Sequence, residues 1–433
     1  MARTRTDRGA LPPGPRLPRL VQSSGVLRFR HRFVPWLHRR YGDVFTVRLL
    51  PADRTTVDFA HPDAIRDIFA GDPDTFHAGE ANSILGPVMG RHSVLLVDGP
   101  EHRRTRRLLL PAFSPGALDG YRDLVAGVAK AEVASWPRDT AFRSLDRMNA
   151  LTLEVIMQVV FGVTDEHRMA RLRPLVRGVV DVSPAVLLGW AFPPLRRVGM
   201  WRRAAEDVRA LDREVHDLVR DRRLAPDLDT RTDVLSRLIR VDDGGDRLTD
   251  TELRDQMVTL LLAGHETTAT ALAWTLQELG SDARLTDRAR EAAHTGDDAW
   301  LEAALKESMR LHPVIPMVVR VLKRPATVGG VDLPEGTVVA ASILLAHARE
   351  EAHPDPEAFR PERFLGRSPS PTTWLPFGGG VRRCIGAGFS LMEGTAVLRE
   401  VFATYEVSAV APETPRVRNI TSVPRRGARL VVR

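Results

Sequence analysis

Hydrophobic and polar positions alternate in two short stretches near the start of the chain, Val44 to Leu49 and Thr55 to Phe59. Turn-prone Pro51-Ala52-Asp53 separates them, and the pattern predicts a small hairpin. From Pro62 to about Arg310 the spacing becomes helical, with repeated breaks at Gly and Pro. A second strand-rich stretch runs from Val318 to Val339, punctuated by Gly329-Gly330 and Pro334-Glu335-Gly336. The segment from His353 to Gly380 is irregular and rich in Pro and Gly. Pro12, Pro13, Gly14, Pro15 and Pro18 predict an extended arm over residues 1–24, followed by one domain over residues 25–433. The expected fold class is mainly α with a small β region at one side.

One predicted helix stands out. Thr249 and Glu252 have the spacing of a capping box, and Gly280 offers a stop. The roughly 30 residues between them would span about 45 Å, enough to cross the whole domain. Val258 to Leu262 is apolar except for Thr259, which marks a buried helix. Beside that stretch are set Gly264, His265, Glu266, Thr267 and Thr268, and a carboxylate there is costly unless it has partners or water.

Composition narrows the function classes. A net charge of +7 invites a nucleic-acid reading, but only Lys130, Lys306 and Lys323 are lysines, and the arginines are distributed along the chain. Basic charge of that kind is a weak signal, so no nucleic-acid partner is expected. A single cysteine cannot form an internal disulfide. The Pro-rich start lacks the apolar stretch of a signal peptide, and the longest apolar runs fall short of a membrane span. A cytoplasmic protein with no membrane span is expected.

That single cysteine lies in Phe377-Gly378-Gly379-Gly380-Val381-Arg382-Arg383-Cys384-Ile385-Gly386. Three glycines would let backbone approach a flat ligand and leave amides to point at a sulfur. The helical run beyond the loop puts Cys384 near a helix N-terminus, where the dipole and two arginines favour thiolate. An isolated free cysteine is more often a buried structural residue; ten ordered positions around this one reverse the odds.

Phe377 to Gly386 resembles the heme-binding loop of the cytochrome P450 family. Four further elements occur in the order of that family, from about Gly25 to the end of the chain. Ala263-Gly264-His265-Glu266-Thr267-Thr268 resembles its oxygen-activation motif. Ala263 and Thr267 lie four apart on one helix face, Gly264 would loosen the helix enough to admit water, and Glu266 with Thr267 offers an acid and a hydroxyl for proton relay. Glu307-x-x-Arg310 with Pro361-Glu362-Arg363-Phe364 is similar to the family's buried ion-pair frame, which implies a structural role for Glu307, Arg310 and Arg363. His102-x-x-x-Arg106, with Arg320 and Arg382, resembles the set that meets the two heme propionates. Arg103, Arg104 and Arg107 read as a solvated face that could also help dock an acidic electron donor. The Pro-rich arm with its short strands, and the stretch from His312 to Arg320, complete the family's layout.

The resemblance implies the cytochrome P450 fold and bound heme b (iron protoporphyrin IX), with Cys384 as the metal ligand. It implies cofactor contacts from Leu96, His102, Arg106, Ala263, Gly264, Thr267, Thr268, Arg320, Pro376, Phe377, Gly378, Arg382, Ile385 and Gly386. Catalytic roles fall to Glu266 and Thr267. The implied reaction inserts one atom of O2 into a small apolar organic substrate: a lipid, terpenoid or other secondary metabolite. Electrons would come from a separate donor, a ferredoxin with its reductase. Asn82 to Leu96, Pro184 to Trp201 and His312 to Arg320 would border the substrate. A peroxide-driven or isomerising heme-thiolate enzyme, or a non-catalytic heme-binding module, are the rival readings. The intact Glu266-Thr267 pair weighs against the peroxide-driven one. His265 has no role assigned by its position.

Overall fold

The computed structural model describes residues 11–50, 54–180, 194 and 199–433. The longer helices among them are α1 (Arg19–Arg28), α2 (Arg30–Tyr41), α3 (Pro62–Ala70), α4 (Gly99–Leu109), α5 (Arg122–Ala134), α6 (Ser144–Val155), α7 (Glu166–Val180), α8 (Gly199–Arg223), α9 (Asp250–Gly280), α10 (Ala283–Thr295), α11 (Asp298–Leu311) and α12 (Ala387–Thr404). Strands β1 (Val44–Leu49) and β2 (Arg54–Phe59) form the predicted antiparallel hairpin, with Val44 opposite Phe59. β2 also pairs in parallel with β8 (Val338–Ser342). With β5 (Met317–Leu322) and β3 (Phe76–His77) they make one sheet in the order β1-β2-β8-β5-β3. β4 (Phe142–Arg143), β9 (Val407–Ala409) and β12 (Arg429–Val432) form a second sheet; β6 (Ala326–Val328) pairs with β7 (Val331–Leu333), and β10 (Pro415–Arg418) with β11 (Thr421–Pro424).

The long helix starts where its capping box places it. Thr249 accepts from the Glu252 amide while Glu252 Oε2 accepts from the Thr249 amide at 2.8 Å. The helix runs 31 residues to Gly280 and is buried along most of its length. Gly264 does not interrupt it. A side chain at Gly264 would sit 2.8 Å from Ile156 Cδ1, so this glycine serves close packing against the end of α6. α9 packs on α6, α8, α11 and α12, and the largest apolar core surrounds it. Five short β-strands and α3 hold a separate core around Phe59, Ile65 and Leu375.

The N-terminus departs from the expected arm. The chain from Leu11 to Leu17 has no regular element, but α1 begins at Arg19, inside the stretch expected to be extended through residue 24. Pro18 precedes the first helical residue, where its fixed φ suits a helix start and its missing N–H is no loss. The substrate-facing segment expected over Pro184 to Trp201, with Leu187, Leu188, Trp190 and Phe192, lies almost wholly outside the described residues.

Candidate functional site

Cys384 sits in a turn closed by its own amide, which donates to the Phe377 carbonyl at 2.9 Å. Gly378 and Gly380 adopt φ of 63° and 62°, a region that glycine enters without strain. The glycine run also meets a protein neighbour. A Cβ on Gly379 would come within 2.2 Å of the Phe69 ring, and one on Gly380 within 2.0 Å of the Phe69 carbonyl oxygen. Gly379 and Gly380 therefore let the loop close against the last turn of α3. The amide aimed at the sulfur belongs to Gly386, just ahead of α12. Burial pushes the Cys384 thiol up, while the Gly386 amide, Arg106 and Arg383 pull it down. Every one of those favourable groups stabilises the anion.

Four basic side chains from three elements converge beside this loop. His102 and Arg106 come from one face of α4, Arg320 from β5 and Arg382 from the turn before Cys384. Burial, with Arg382 and Arg106 nearby, lowers His102 to about 4. Burial and the Arg382 charge lower Arg320 to about 10; Arg382 falls to about 10 mainly by burial. One carboxylate, Asp98, opposes the set. Arg382 donates to it and to the carbonyls of Val94 (3.1 Å) and Val97 (2.5 Å). Asp98 also accepts from the amides of Ala78, Gly79 and Glu80 at 2.9–3.0 Å. With His102 neutral, three guanidiniums against one carboxylate leave two positive charges, matching two propionates. The donor set fits iron protoporphyrin IX.

Across from the loop lies the middle of α9. Ala263 is exposed although Leu261, His265 and Glu266 around it are buried. Thr267, four residues on, donates from Oγ1 to the Ala263 carbonyl at 2.6 Å. With its proton committed to the helix, that hydroxyl presents lone pairs to the site. Glu266 points elsewhere: its Oε1 accepts from Thr421 Oγ1 at 2.9 Å and lies 3.6 Å from Arg418 Nε, both on the β10–β11 hairpin. The acid and the alcohol thus occupy neighbouring positions but are engaged in different directions. His265 meets Thr152 of α6 at 3.0 Å. Thr268 meets Ser390 of α12 at 3.2 Å. The half-buried Leu96 lies against Gly86, and Pro376, Phe377 and Ile385 are half-buried beside the cysteine.

The supporting frame is dense. Glu307 is fully buried and receives Arg310 through both oxygens at 2.7 and 2.8 Å, Arg363 at 3.1 Å and the Arg360 amide at 2.9 Å. Arg310 also donates to the carbonyls of His347, Pro356 and Ala358. The face expected to be solvated is partly committed: Arg104 pairs with Asp246 and Glu252, and Arg107 with Asp243 and Asp246. Of the apolar residues expected along the substrate, Val88 and Met89 are buried, Leu95, Val314, Ile315, Met317 and Val318 are half-buried, and Ile84 is exposed.

Three polar groups around the site escape sequence reasoning. Asp98 reads as an ordinary residue ahead of a helix, yet its carboxylate caps no part of α4. Arg418 and Thr421 lie about 150 residues from Glu266, and no spacing rule links such distant positions.

A family model described as Cytochrome P450 matches residues 11–430. A Mycobacterium tuberculosis protein named as cytochrome P450 135A1 is 51% identical, covering 99% of this chain and 96% of that one. A Mycobacterium bovis protein named as cytochrome P450 135B1 is 42% identical over 99% of this chain and 92% of its own length. Among solved structures, cyanobacterial CYP120A1 with retinoic acid bound superposes at a TM-score of 0.83 and 24% identity, covering 98% of this chain and 99% of that one.

Proposed function

The chain belongs to the cytochrome P450 family, whose members bind heme b and act as monooxygenases, and on that premise we propose that it oxygenates a small apolar organic substrate: a lipid, terpenoid or other secondary metabolite. The observation that carries this reading is Cys384, with the Gly386 amide and Arg106 beside its sulfur, together with the exposed Ala263 and the Thr267 hydroxyl on α9.

Bound heme supplies an iron at which O2 is reduced, one oxygen atom entering the substrate and the other leaving as water, with two electrons and two protons consumed. The side chains divide the remaining work. Cys384 is the thiolate ligand, its charge held by the Gly386 amide and Arg106. His102, Arg106, Arg320 and Arg382 take the propionates, with Asp98 holding Arg382 in place. Leu96, Ala263, Gly264, Thr268, Pro376, Phe377, Gly378, Ile385 and Gly386 form the walls against the ring. Thr267 holds a proton-accepting hydroxyl at the site, and Glu266 supplies the neighbouring acid of the relay. Leu95, Val314 and Val318 supply an apolar border that excludes water and orients a C–H bond. A separate ferredoxin and its reductase, in the cytoplasm, supply the electrons.

The test is spectral and then catalytic. Freshly folded, heme-loaded protein should give the red-shifted carbon-monoxide band of thiolate ligation, and lipophilic compounds should shift its absorption on binding. Product should form with ferredoxin, reductase and NAD(P)H. A folded holoprotein without that band would overturn the reading, as would turnover supported by hydrogen peroxide but by no electron donor.

A further inference from the structure

Helix α1 is inside out. It buries Gln22 and Ser23 and exposes Leu20 (71%), Val21 (47%) and Leu27 (55%). The buried polar groups are satisfied. Gln22 Nε2 donates to the carbonyls of Pro15 and Leu17, its Oε1 accepts from the Arg48 amide at 2.9 Å, and Ser23 Oγ accepts from the Leu50 amide at 2.9 Å. The helix thus docks through these hydrogen bonds and the buried Val26, and turns Leu20, Val21 and Leu27 to the outside. Apolar exposure continues along the chain through Phe29 and Trp36. It also continues in space: the buried Arg30 guanidinium donates to the carbonyl of Ile420, and Ile420 is 55% exposed at the tip of the β10–β11 hairpin. Single exposed leucines need no explanation, but a contiguous patch does.

Charge is concentrated at the same place. Arginines occur throughout the sequence, but their neutralisation is uneven. Residues 1–41 contain ten arginines, no lysine and one acidic residue, Asp7, a net of +9, which leaves −2 for all the rest of a chain whose total is +7. The arginines are spread along the chain, but residues 1–41 are one of two strongly basic stretches; the other, residues 414–433, carries six arginines and no acidic residue. Arg16, Arg28, Arg32 and Arg39 are exposed there, next to the apolar patch.

We infer that α1 and α2 form a peripheral docking surface for a bilayer containing anionic phospholipid. Leu20, Leu27 and Phe29 enter the acyl boundary, and the arginines meet phosphate groups around them. Trp36, with its apolar ring and polar N–H, suits the same interface. The segment lies on the membrane and does not span it, since no described helix is long and apolar enough to cross one. A second copy of this chain is a poor occupant, because two such faces would oppose their like charges. Membrane docking depends on the N-terminal surface alone and is independent of the substrate.

The experiment uses the full-length heme-loaded protein and vesicles of phosphatidylcholine, with or without phosphatidylglycerol. Binding to the mixed vesicles, weakening with salt, is the expected result. The double variant Leu20→Ser/Leu27→Ser should bind at least tenfold more weakly. Arg16→Gln, Arg28→Gln and Arg39→Gln should each cost roughly fivefold. All five positions are exposed, and an unchanged heme spectrum and melting temperature confirm folding. Absence of wild-type binding overturns the proposal. So does binding that the serine variant retains, which would reduce the contact to charge alone. Concentration-dependent dimerisation abolished by the serine pair would overturn it in favour of self-association.

Discussion

The two sides of the site are built differently. On the cysteine side, Glu307 takes four hydrogen bonds in a fully buried pocket, and Asp98 gathers three amides and a guanidinium. On the α9 side, Thr267 donates to its own helix, and Glu266 meets the Thr421 hydroxyl at 2.9 Å and Arg418 at 3.6 Å. A buried network with several partners per atom has one arrangement, because breaking any member strands the others. The cysteine side therefore carries the denser network of charged hydrogen bonds, and the α9 side joins the long helix to the β10–β11 hairpin.

The contrast can be broken most violently at Cys384. Cys384→Ser should abolish both the red-shifted carbon-monoxide band and product formation; a variant retaining either would separate the sulfur from the chemistry. Next in size, Glu307→Ala leaves two buried guanidiniums facing each other and should cost about 3–5 kcal/mol, read by denaturant unfolding. A loss within half a kcal/mol would show that the frame does not hold the fold. Thr267→Ala should leave folding untouched and redirect reducing equivalents into reduced oxygen, lowering product per NAD(P)H roughly tenfold or more. Full coupling in that variant would remove the hydroxyl from the relay. Thr421→Val frees Glu266 from its neutral partner and should change product formation only severalfold, in keeping with one hydrogen bond.

A last expected effect lies away from the site and shows only with pH. Glu393 is buried in α12, and its Oε1 has no hydrogen-bond partner among the described residues. Burial raises it from 4.5 to about 8. The folded chain therefore keeps a proton that the unfolded chain releases. Its contribution to stability is complete below pH 4.5 and is lost as pH rises through 8. Glu393→Gln should raise the melting temperature at about pH 9 relative to the parent chain and leave it nearly unchanged at about pH 4. Equal melting temperatures at both values would mean that the carboxylate is paired.

The same contrast explains what could be read in advance. The capping box at Thr249, the β1–β2 hairpin and the convergence of His102 with Arg106 arise from local spacing, and local spacing survives folding. The loop around Cys384 was legible because many residues are demanded together. Asp98, Arg418 and Thr421 act through contacts between elements far apart in sequence, so no periodicity announces them. Gly264, Gly379 and Gly380 were legible as special positions, but what each approaches is a tertiary fact: Ile156 for one, Phe69 for the others. Helix α1 was missed for a further reason: the prolines from Pro12 to Pro18 signal an extended chain, and the helix starts directly after the last of them.

Helix α4 has a consequence for the whole assembly. Its His102 and Arg106 face the cofactor site, while Arg104, on the far side of the same two turns, binds Glu252 within the capping box of α9. One short rod thereby ties the basic cluster beside Cys384 to the first turn of the longest helix, so that a strain at either end is felt at the other through a single pair of side chains.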